Sequence, residues 1–399
     1  MGSDVLNIVF IILYCIATIS AMYLLIFSIA SRFARRTKFK PSAINQNIAV
    51  LIPAYKEDGV IVDSVMNALE QQYPREHFDV FVAAHKLKHE TIATLRGLPI
   101  NVIELHAQEG SKAYSLRSLL NHIDEQHYSI ALILDADNHM SPNCLNIIND
   151  AFAQGVKAVQ LHRVAKNQNT TVALFDALTE EINNSIFRKG PSALGLSAST
   201  IGSGMAFPFS DLKKIYNIEG ITLNPACDRE VDFEMMVAGN KIEYIDRAYV
   251  FDEKVQHAEI FIKQRTRWME SQLWHIGRFF REMNFKVIFN ADFINKLVSN
   301  LVPSRMIILG IYTIAIILLI LENLSDDNYI SPGGGWWLAS FATFVLALVI
   351  AIPASFRNRK LLNVFLRFPA MMFYYMKALS GMRPGRKTFE HTPKTFDKK

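Results

Sequence analysis

The 399-residue sequence has little cysteine and little net charge, and each shortage excludes a class of protein. Its three cysteines, Cys15, Cys144 and Cys227, are scattered without the spacing of a metal site, and Cys15 lies in an apolar run. An odd number of scattered cysteines argues against a disulfide framework and favours a reducing compartment for the soluble part. The formal net charge of +5 is too small for general attraction to nucleic acid, and no other feature supports a nucleic-acid partner.

Long stretches also lack charge altogether. No charged residue occurs from Val5 to Ala30, which is enough chain to cross about 30 Å of hydrocarbon as a helix. A cleaved secretory signal would carry positive charge before a shorter apolar run, whereas here only Asp4 precedes it. Basic residues follow instead, namely Arg32, Arg35, Arg36, Lys38 and Lys40. The run therefore predicts an uncleaved anchor, and the positive-inside tendency places the chain after residue 31 in the cytoplasm.

Two further spans are predicted near the other end. Leu301–Leu321 is apolar except for Ser304 and Arg305 at its start, and Trp336–Phe356 closes before another basic cluster. The loop between them has no lysine or arginine, so we expect it on the outer side. Leu361–Leu379 is apolar but carries charges, and we expect an interfacial helix there, with a fourth crossing as the alternative. The prediction is an integral protein of the cell (inner) membrane whose soluble domain is cytoplasmic.

Strand and helix patterns alternate between these membrane segments. Helical patterns such as Val60–Gln72 and Ser111–Ile123 separate apolar runs that are typical of buried strands. This alternation indicates an α/β fold, a Rossmann-like domain with a mostly parallel sheet. The glycine- and serine-containing stretch Asn183–Phe209 is predicted to be a long functional loop. The expected strands are Asn47–Tyr55, Phe78–Ala84, Asn101–His106, Ser129–Asp137 and Ala158–Arg163.

Polar residues at the ends of these elements suggest chemistry. Asp135 and Asp137 end the predicted fourth strand, where alternation points both carboxylates the same way. Such a pair suits Mg²⁺ or Mn²⁺, which can hold a diphosphate, although ordinary turn chemistry is the alternative. Lys112 follows Gly110 and Ser111 at a helix start, where backbone N–H groups and an ammonium could meet a phosphate or simply cap the helix.

Two later segments could complete such a site. Asp228 precedes a helical run, where its carboxylate could accept the proton of an attacking hydroxyl or merely cap the helix. Gln264, Arg267 and Trp268 share one helical face, because they are three and four residues apart. An amide, a guanidinium and a large ring suit phosphate binding and stacking on a sugar. A basic helix lying on a membrane would show similar residues.

Taken in order, these pieces resemble glycosyltransferase family 2, in particular its membrane branch with the cellulose and hyaluronan synthases. The resemblance runs from Ile48 to about Phe280, with tail features to Phe396. Gln264–Trp268 fits the Q-x-x-R-W pattern residue for residue and is the most specific match. The other matching segments are Leu51–Glu57, Gly110–Lys112, Asp135–Asp137, Gly202–Met205, Phe251–Glu253 and Thr388–Thr395.

The resemblance implies a GT-A fold and a hexosyltransferase that inverts the sugar, with a donor expected to be UDP-linked. It assigns donor binding to Pro53, Tyr55, Glu57, His85, Lys112 and Asp135. It assigns the Mg²⁺ or Mn²⁺ ion to Asp135 and Asp137, and the general base to Asp228. It assigns the acceptor or the diphosphate to Gly204, Gln264, Arg265, Arg267 and Trp268.

Two positions depart from the family pattern. His85 stands where the family usually has an acidic residue near the nucleobase, and Cys227 replaces the glutamate that normally precedes Asp228. These replacements bear on donor choice. They also motivate a different hypothesis, in which the chain is an inactive scaffold for a related synthase.

The sequence thus predicts four regions. They are a transmembrane anchor at 1–31, a cytoplasmic GT-A domain at 45–285, two transmembrane helices within 286–360, and an interfacial helix with a cytoplasmic tail at 361–399. The leading hypothesis is an enzyme that extends a polysaccharide and passes it through the lipid bilayer. Because three crossings are few for a channel, this hypothesis requires a homo-oligomer or a secretion partner. The alternative is a single addition to a lipid-linked acceptor.

Overall fold

The computed structural model describes residues 2–34, 38–108, 110–223, 227–285, 287–325 and 330–383. The predicted tail motif Thr388–Thr395 and the basic residues Arg35 and Arg36 lie outside these ranges. The strands are β1 Ile48–Tyr55, β2 Phe78–His85, β3 Asn101–Leu105, β4 Ile130–Ile133, β5 His139–Met140, β6 Val159–Ala165, β7 Met205–Pro208 and β8 Glu243–Asp252.

The helices surround this sheet and continue beyond it. They are α1 Gly2–Phe33, α2 Ile61–Leu69, α3 His89–Arg96, α4 Lys112–His122, α5 Cys144–Ala153, α6 Thr171–Asn183, α7 Gly190–Ala193, α8 Phe209–Tyr216, α9 Cys227–Val237, α10 Ala258–Glu282, α11 Ala291–Leu301, α12 Arg305–Ser325, α13 Gly334–Ala351, α14 Arg359–Leu366 and α15 Phe368–Ser380. A π-helical turn, Asn184–Lys189, continues α6. Short 3₁₀ turns occupy Arg75–His77, Ile221–Leu223 and Ala354–Phe356.

The eight strands form one sheet in the order β3-β2-β1-β4-β7-β6-β8-β5. Four of the seven neighbouring pairs are parallel, and β4–β7, β6–β7 and β5–β8 are antiparallel. Alternate residues of β1 enter different cores: Ile48 and Val50 pack on one face of the sheet, and Ala49 and Leu51 on the other. Burial on both faces explains the continuous apolar runs of the parallel strands. The predicted α/β class and mostly parallel sheet are confirmed.

Some predicted boundaries were wrong. The fourth strand ends at Ile133 rather than at Asp137, so Asp135 and Asp137 lie in the following loop and strand alternation does not orient them. The predicted loop Asn183–Phe209 contains the π-helical turn, α7 and the antiparallel strand β7. Short strands such as β5 and β7 lack the long apolar run that was used to predict strands.

Three helices in the described ranges are long and apolar enough to cross a membrane. They are Leu6–Phe33, Arg305–Leu324 and Gly334–Ala351. The second begins later than predicted, because Leu301 belongs to α11, and the third ends before Phe356. The three pack together through Tyr312, Trp337 and Phe344, which are almost completely buried. Ser340 also hydrogen-bonds with Thr18 at 2.8 Å and with Tyr312 at 2.6 Å.

The segment predicted as one interfacial helix is two helices, α14 and α15, which meet at Arg367. One side of α15 packs on α10, where the Thr266 hydroxyl donates to the Ala378 carbonyl at 3.0 Å. The other side exposes large apolar side chains, and Phe373 and Met376 are 50% and 60% exposed. Exposed apolar side chains on a short helix suit a membrane surface.

By its packing, α11 belongs with the α/β domain. Phe293 and Leu297 of α11 join Phe233 of α9 and Phe279 of α10 in a small apolar cluster. The predicted boundary at residue 285 therefore falls before a helix that packs on the α/β domain.

Candidate active site

A cavity of about 350 Å³ lies beyond the carboxyl ends of β1, β4 and β8. We call it the donor cavity. Residues from distant parts of the chain reach it, because the parallel strands end at the same edge of the sheet and α9 and α10 cover that edge. The predicted site residues that line it are Pro53, Tyr55, Glu57, Lys112, Asp135, Asp137, Asp228, Gln264, Arg267 and Trp268.

His85, the last residue of β2, lies behind the donor cavity rather than on its lining. Its side chain is fully buried, and its Nε2 atom is 2.8 Å from the Ala107 carbonyl oxygen. The ring meets the Tyr55 ring edge-on, with centroids 4.9 Å apart. Gly110 must lack a side chain, since a Cβ there would come within 2.0 Å of the His85 ring. His85 therefore supports Tyr55 from behind.

Gly204 is a packing glycine and not a lining residue. Its backbone has φ +62°, and a Cβ there would lie 2.8 Å from Cγ2 of Val250. Its N–H donates to the Ile133 carbonyl and its own carbonyl accepts from Leu161 N–H, both at 2.8 Å. The glycine that lines the donor cavity is Gly202, two residues earlier.

Arg265 also faces away from the donor cavity. Its guanidinium pairs with Asp176, and both side chains are buried. It also lies 4.0 Å from the centre of the Trp268 ring. Successive residues of a helix point about 100° apart, which is why Arg265 leaves the face shared by Gln264, Arg267 and Trp268. The contact seen for Arg265 is thus an internal ion pair rather than a phosphate site.

Lys112 carries the positive charge at the centre of the donor cavity. Its ammonium pairs with Asp135 and donates to the Gly202 carbonyl at 2.5 Å. A Cβ placed on Gly202 would be 3.4 Å from Asp228 Oδ2 and 3.7 Å from Lys112 Nζ, so these two groups flank Gly202. Burial alone lowers the pKa of Lys112, but the charge of Asp135, with a smaller effect of Asp228, raises it more. The net pKa is above its usual value, and the ammonium stays charged at neutral pH.

The loop after β4 is tied to the end of β8. Asp137 is only 2% exposed, and its Oδ2 accepts from the Glu253 backbone N–H at 2.9 Å. Asn138 accepts from the Asp135 N–H at 3.0 Å and donates to Asp252 at 3.4 Å. These bonds, and not strand alternation, position the two aspartates.

A buried charge network forms the floor of the donor cavity, and the sequence did not predict it. Glu180 of α6 accepts from Arg163 at 2.8 Å and lies 3.4 Å from Lys254 Nζ and 3.5 Å from Arg188 Nη1. Burial raises the pKa of the Glu180 carboxyl, but the three cations lower it more, so that it falls well below its usual value. One available signal was that two carboxylates four residues apart, Asp176 and Glu180, interrupt an otherwise apolar buried side of α6.

The charges that line the donor cavity fit a divalent cation. Eight carboxylates face six lysines and arginines, a formal balance of −2. Within the described ranges no three His, Cys, Asp or Glu side chains converge to hold a metal alone. Mg²⁺ commonly takes one or two carboxylates together with substrate phosphate oxygens, a donor set that Asp135 and Asp137 can supply in part.

Cys227 begins α9 beside Asp228 and carries no charge. Tyr216 donates its hydroxyl hydrogen to the Cys227 sulfur at 3.7 Å, and the thiol is buried. Burial, with a smaller effect of the Asp228 charge, raises the pKa of Cys227 to about 11. A neutral thiol therefore stands where the family pattern has a glutamate.

Comparisons with known proteins agree with this geometry. Residues 45–271 match the family model described as "Glycosyltransferase like family 2", and the chain belongs to that family. It is a glycosyltransferase with a GT-A fold that transfers sugar from a nucleotide-sugar donor. No sequence among the curated proteins matches the chain.

Two solved structures are similar to it. The mannosyltransferase PcManGT from Pyrobaculum calidifontis, in complex with GDP-Man and Mn²⁺, is 17% identical with a TM-score of 0.59, covering 92% of this chain and 98% of that one. TarS 1-349 from S. aureus, in complex with UDP-GlcNAc, is 12% identical with a TM-score of 0.44, covering 84% and 92%. At 17% identity the first likeness shows a shared fold, and it extends over the membrane-side helices as well.

Proposed function

We propose that this enzyme transfers one hexosyl unit, with inversion, from a nucleotide sugar to a hydroxyl group of a lipid-linked acceptor at the cytoplasmic face of the membrane. The observation that carries the proposal is that Asp137, Asp228 and the 264–268 helix face line one cavity. That cavity adjoins the membrane-side helices, because Trp268 also lines a second cavity bounded by α1, α12 and α15.

The donor is held by residues of β1, α4, α10 and the loop after β4. Tyr55, supported by His85, contacts the nucleoside, and Lys112 and Arg267 contact the diphosphate. Asp135 and Asp137 would hold Mg²⁺ or Mn²⁺. When bound, such an ion neutralises charge that develops on the leaving diphosphate. The Mn²⁺ in the PcManGT complex makes Mn²⁺ the first ion to test.

Asp228 acts as the general base. It takes the proton from the acceptor hydroxyl while the hydroxyl oxygen bonds to the anomeric carbon. The bond between that carbon and the diphosphate breaks, and its electron pair leaves with the diphosphate beside Lys112. Attack opposite the leaving group inverts the anomeric carbon. Because the Cys227 thiol is neutral, Asp228 is the residue of positions 227 and 228 that can accept the proton.

The membrane helices favour a lipid-linked acceptor over a growing polysaccharide. Tyr312, Trp337 and Phe344 fill the space between the three candidate spans. A polymer path through one copy of the chain would need to displace this packing. Polysaccharide extension therefore requires an oligomer or a secretion partner, whereas a single addition requires neither.

The test uses the full chain in lipid nanodiscs with labelled nucleotide sugars. We expect transfer with Mn²⁺ or Mg²⁺, loss of transfer with EDTA, and one added sugar per acceptor lipid by mass spectrometry. Asp228→Asn should lower kcat about 10²- to 10⁴-fold while nucleotide affinity is kept. A ladder of lengthening products would refute single addition. Full activity of Asp228→Asn would refute the assigned base. Nucleotide release that neither Asp137→Asn nor Asp228→Asn lowers relative to wild type would favour the scaffold.

A further inference from the structure

A second cavity of about 260 Å³ lies where the α/β domain meets the membrane-side helices. We call it the junction cavity. It adjoins the donor cavity, because both are lined by Asn183, Arg188, Thr200, Arg229 and Trp268. Its far side is formed by Leu24 of α1, Arg305 of α12 and Tyr375 of α15. A ligand in the junction cavity would therefore lie between the membrane-side helices and the donor cavity.

The junction cavity is lined by more positively charged side chains than nearby carboxylates pair with. Five arginines and lysines line the junction cavity, together with a single carboxylate, Asp232. Three of the cations have acidic partners, namely Arg188 with Glu180, Arg265 with Asp176 and Lys296 with Asp232. The other two are Arg229 and Arg305, and neither forms an ion pair with a carboxylate of the described ranges.

Of these two arginines, Arg305 is the stronger indication of an anionic ligand. It is the first residue of α12, and its Nη2 atom donates to the Thr179 carbonyl at 3.3 Å. Its Nη1 atom is buried and has no hydrogen-bond partner in the described part of the chain. A buried guanidinium without an anion is costly, because it has lost water and gained no opposite charge. An anionic ligand would supply that charge.

Arg229 adds a second guanidinium on the side of the donor cavity. Its Nη1 atom donates to the Asn300 side-chain oxygen at 2.8 Å. Burial lowers the pKa of Arg229, and the more distant charges of Asp228 and Asp232 act in the opposite direction. Arg229 directly follows Asp228, so an anion bound between Arg229 and Arg305 lies next to the proposed base.

Part of the remaining lining is apolar and extends to the membrane-side helices. Leu24, Phe175, Phe187 and Met306 all line the junction cavity. Its volume, about 260 Å³, is below that of a typical drug-sized ligand site, so it suits a head group and the first carbons of a chain. This combination matches the chemistry of a lipid phosphate.

We propose that the junction cavity binds the phosphate of a lipid-linked acceptor, held by Arg305 and Arg229, with the start of the lipid chain against Phe187 and Met306. This inference rests on the proposed function, since it names how the acceptor lipid is held. Arg305 begins a candidate membrane span, and a basic side chain near the end of such a helix can extend to the head-group region.

The test measures binding without any donor. Full-length protein in phosphatidylcholine nanodiscs is titrated with radiolabelled geranylgeranyl monophosphate, with empty nanodiscs as background. Arg305→Gln should weaken binding about 10- to 100-fold, the range for losing charge-assisted hydrogen bonds. Arg305→Lys should recover part of it, because it keeps the charge. Lys377→Gln is the matched control, since Lys377 is an exposed basic residue of α15 outside the junction cavity, and it should bind as wild type does.

Two competitors identify what is recognised. Unlabelled geranylgeraniol and inorganic phosphate should each compete at least about 10-fold less well than the lipid phosphate. Equal competition by geranylgeraniol, or unchanged binding in folded Arg305→Gln protein, overturns the phosphate site. Equal competition by inorganic phosphate overturns the lipid part of the proposal. Binding of UDP and GDP to wild-type protein with Mn²⁺ tests the donor cavity separately. Lipid phosphate binding without nucleotide binding counts against the proposed transfer, whereas nucleotide binding without lipid phosphate binding overturns the phosphate site alone.

Discussion

Replacing Glu180 by glutamine tests whether the charge network under the donor cavity holds the domain together. Glu180 is 5% exposed and lies within 3.5 Å of the side-chain nitrogens of Arg163, Arg188 and Lys254. Glutamine keeps the shape but removes the negative charge, so three buried cations lose their common partner. We expect a large loss of stability because unpaired buried charges are costly.

The size of the expected loss of stability depends on which other partners the three cations keep in Glu180→Gln. Lys254 still pairs with Asp252 at 2.8 Å, Arg188 donates to Asn184 at 3.0 Å and Arg163 to the Ile201 carbonyl at 3.1 Å. Breaking a buried ion pair costs about 3–5 kcal/mol, and these remaining contacts place Glu180→Gln near the lower end. With about 2–4 °C per kcal/mol for a domain of this size, the thermal midpoint should fall by roughly 6–12 °C.

The assay is thermal unfolding of the α/β domain in detergent or nanodiscs, followed by intrinsic fluorescence. Glu104→Gln is the control, because Glu104 pairs with Arg96 on the surface and such pairs contribute about 0–1 kcal/mol. The pKa of Glu180 is depressed by folding, so its contribution is present above its unfolded pKa of about 4.3 and is lost as pH falls further. The difference between wild type and Glu180→Gln should therefore shrink below about pH 4.

A thermal midpoint for Glu180→Gln within about 2 °C of that for Glu104→Gln would refute this reasoning. It would mean that solvent reaches the network or that its cations are satisfied without Glu180.

Three further predictions follow from the geometry. Arg267→Gln should weaken nucleoside diphosphate binding about 10-fold with little change in melting, whereas Arg265→Gln should destabilise by about 3 kcal/mol, since it breaks a buried pair. Gly204→Ala should cost more stability than Gly155→Ala in urea unfolding; both have positive φ, but only at Gly204 does the new Cβ meet another side chain, at 2.8 Å. Cys227, with a pKa of about 11, should resist iodoacetamide at pH 8 in folded protein and react once it is unfolded, by mass spectrometry.

The sequence predicted strands correctly where their burial produces a visible apolar pattern. The parallel strands β1 and β2 are buried on both faces, so their apolar runs were visible and their boundaries were predicted within one residue. The antiparallel strand β7 has four residues and follows a glycine-containing loop, and its pairing with β4 and β6 depends on contacts distant in sequence. Local pattern carries no information about such contacts.

In the donor cavity too, local motifs were predictable from the sequence, whereas contacts between distant segments were not. Motif residues such as Lys112, Asp137 and Asp228 were found from the sequence because each stands at the end of a recognisable element. The network around Glu180 was missed because its members lie on β6, α6, the π-helical turn and the segment after β8, with no common spacing. Only the folded chain brings such partners together.

The helix α10 explains how one motif serves two cavities. Gln264 and Arg267 line the donor cavity, Arg265 lines the junction cavity, and Trp268 lines both. The Arg265 guanidinium lies against Trp268 and pairs with Asp176 of α6, so it fixes the ring that stands between donor and acceptor. The other side of α10 packs on α15, whose exposed apolar face suits the membrane surface. In the proposed function, α10 therefore connects the donor cavity with α15, and the contact between these two helices becomes part of the geometry that brings acceptor and donor together.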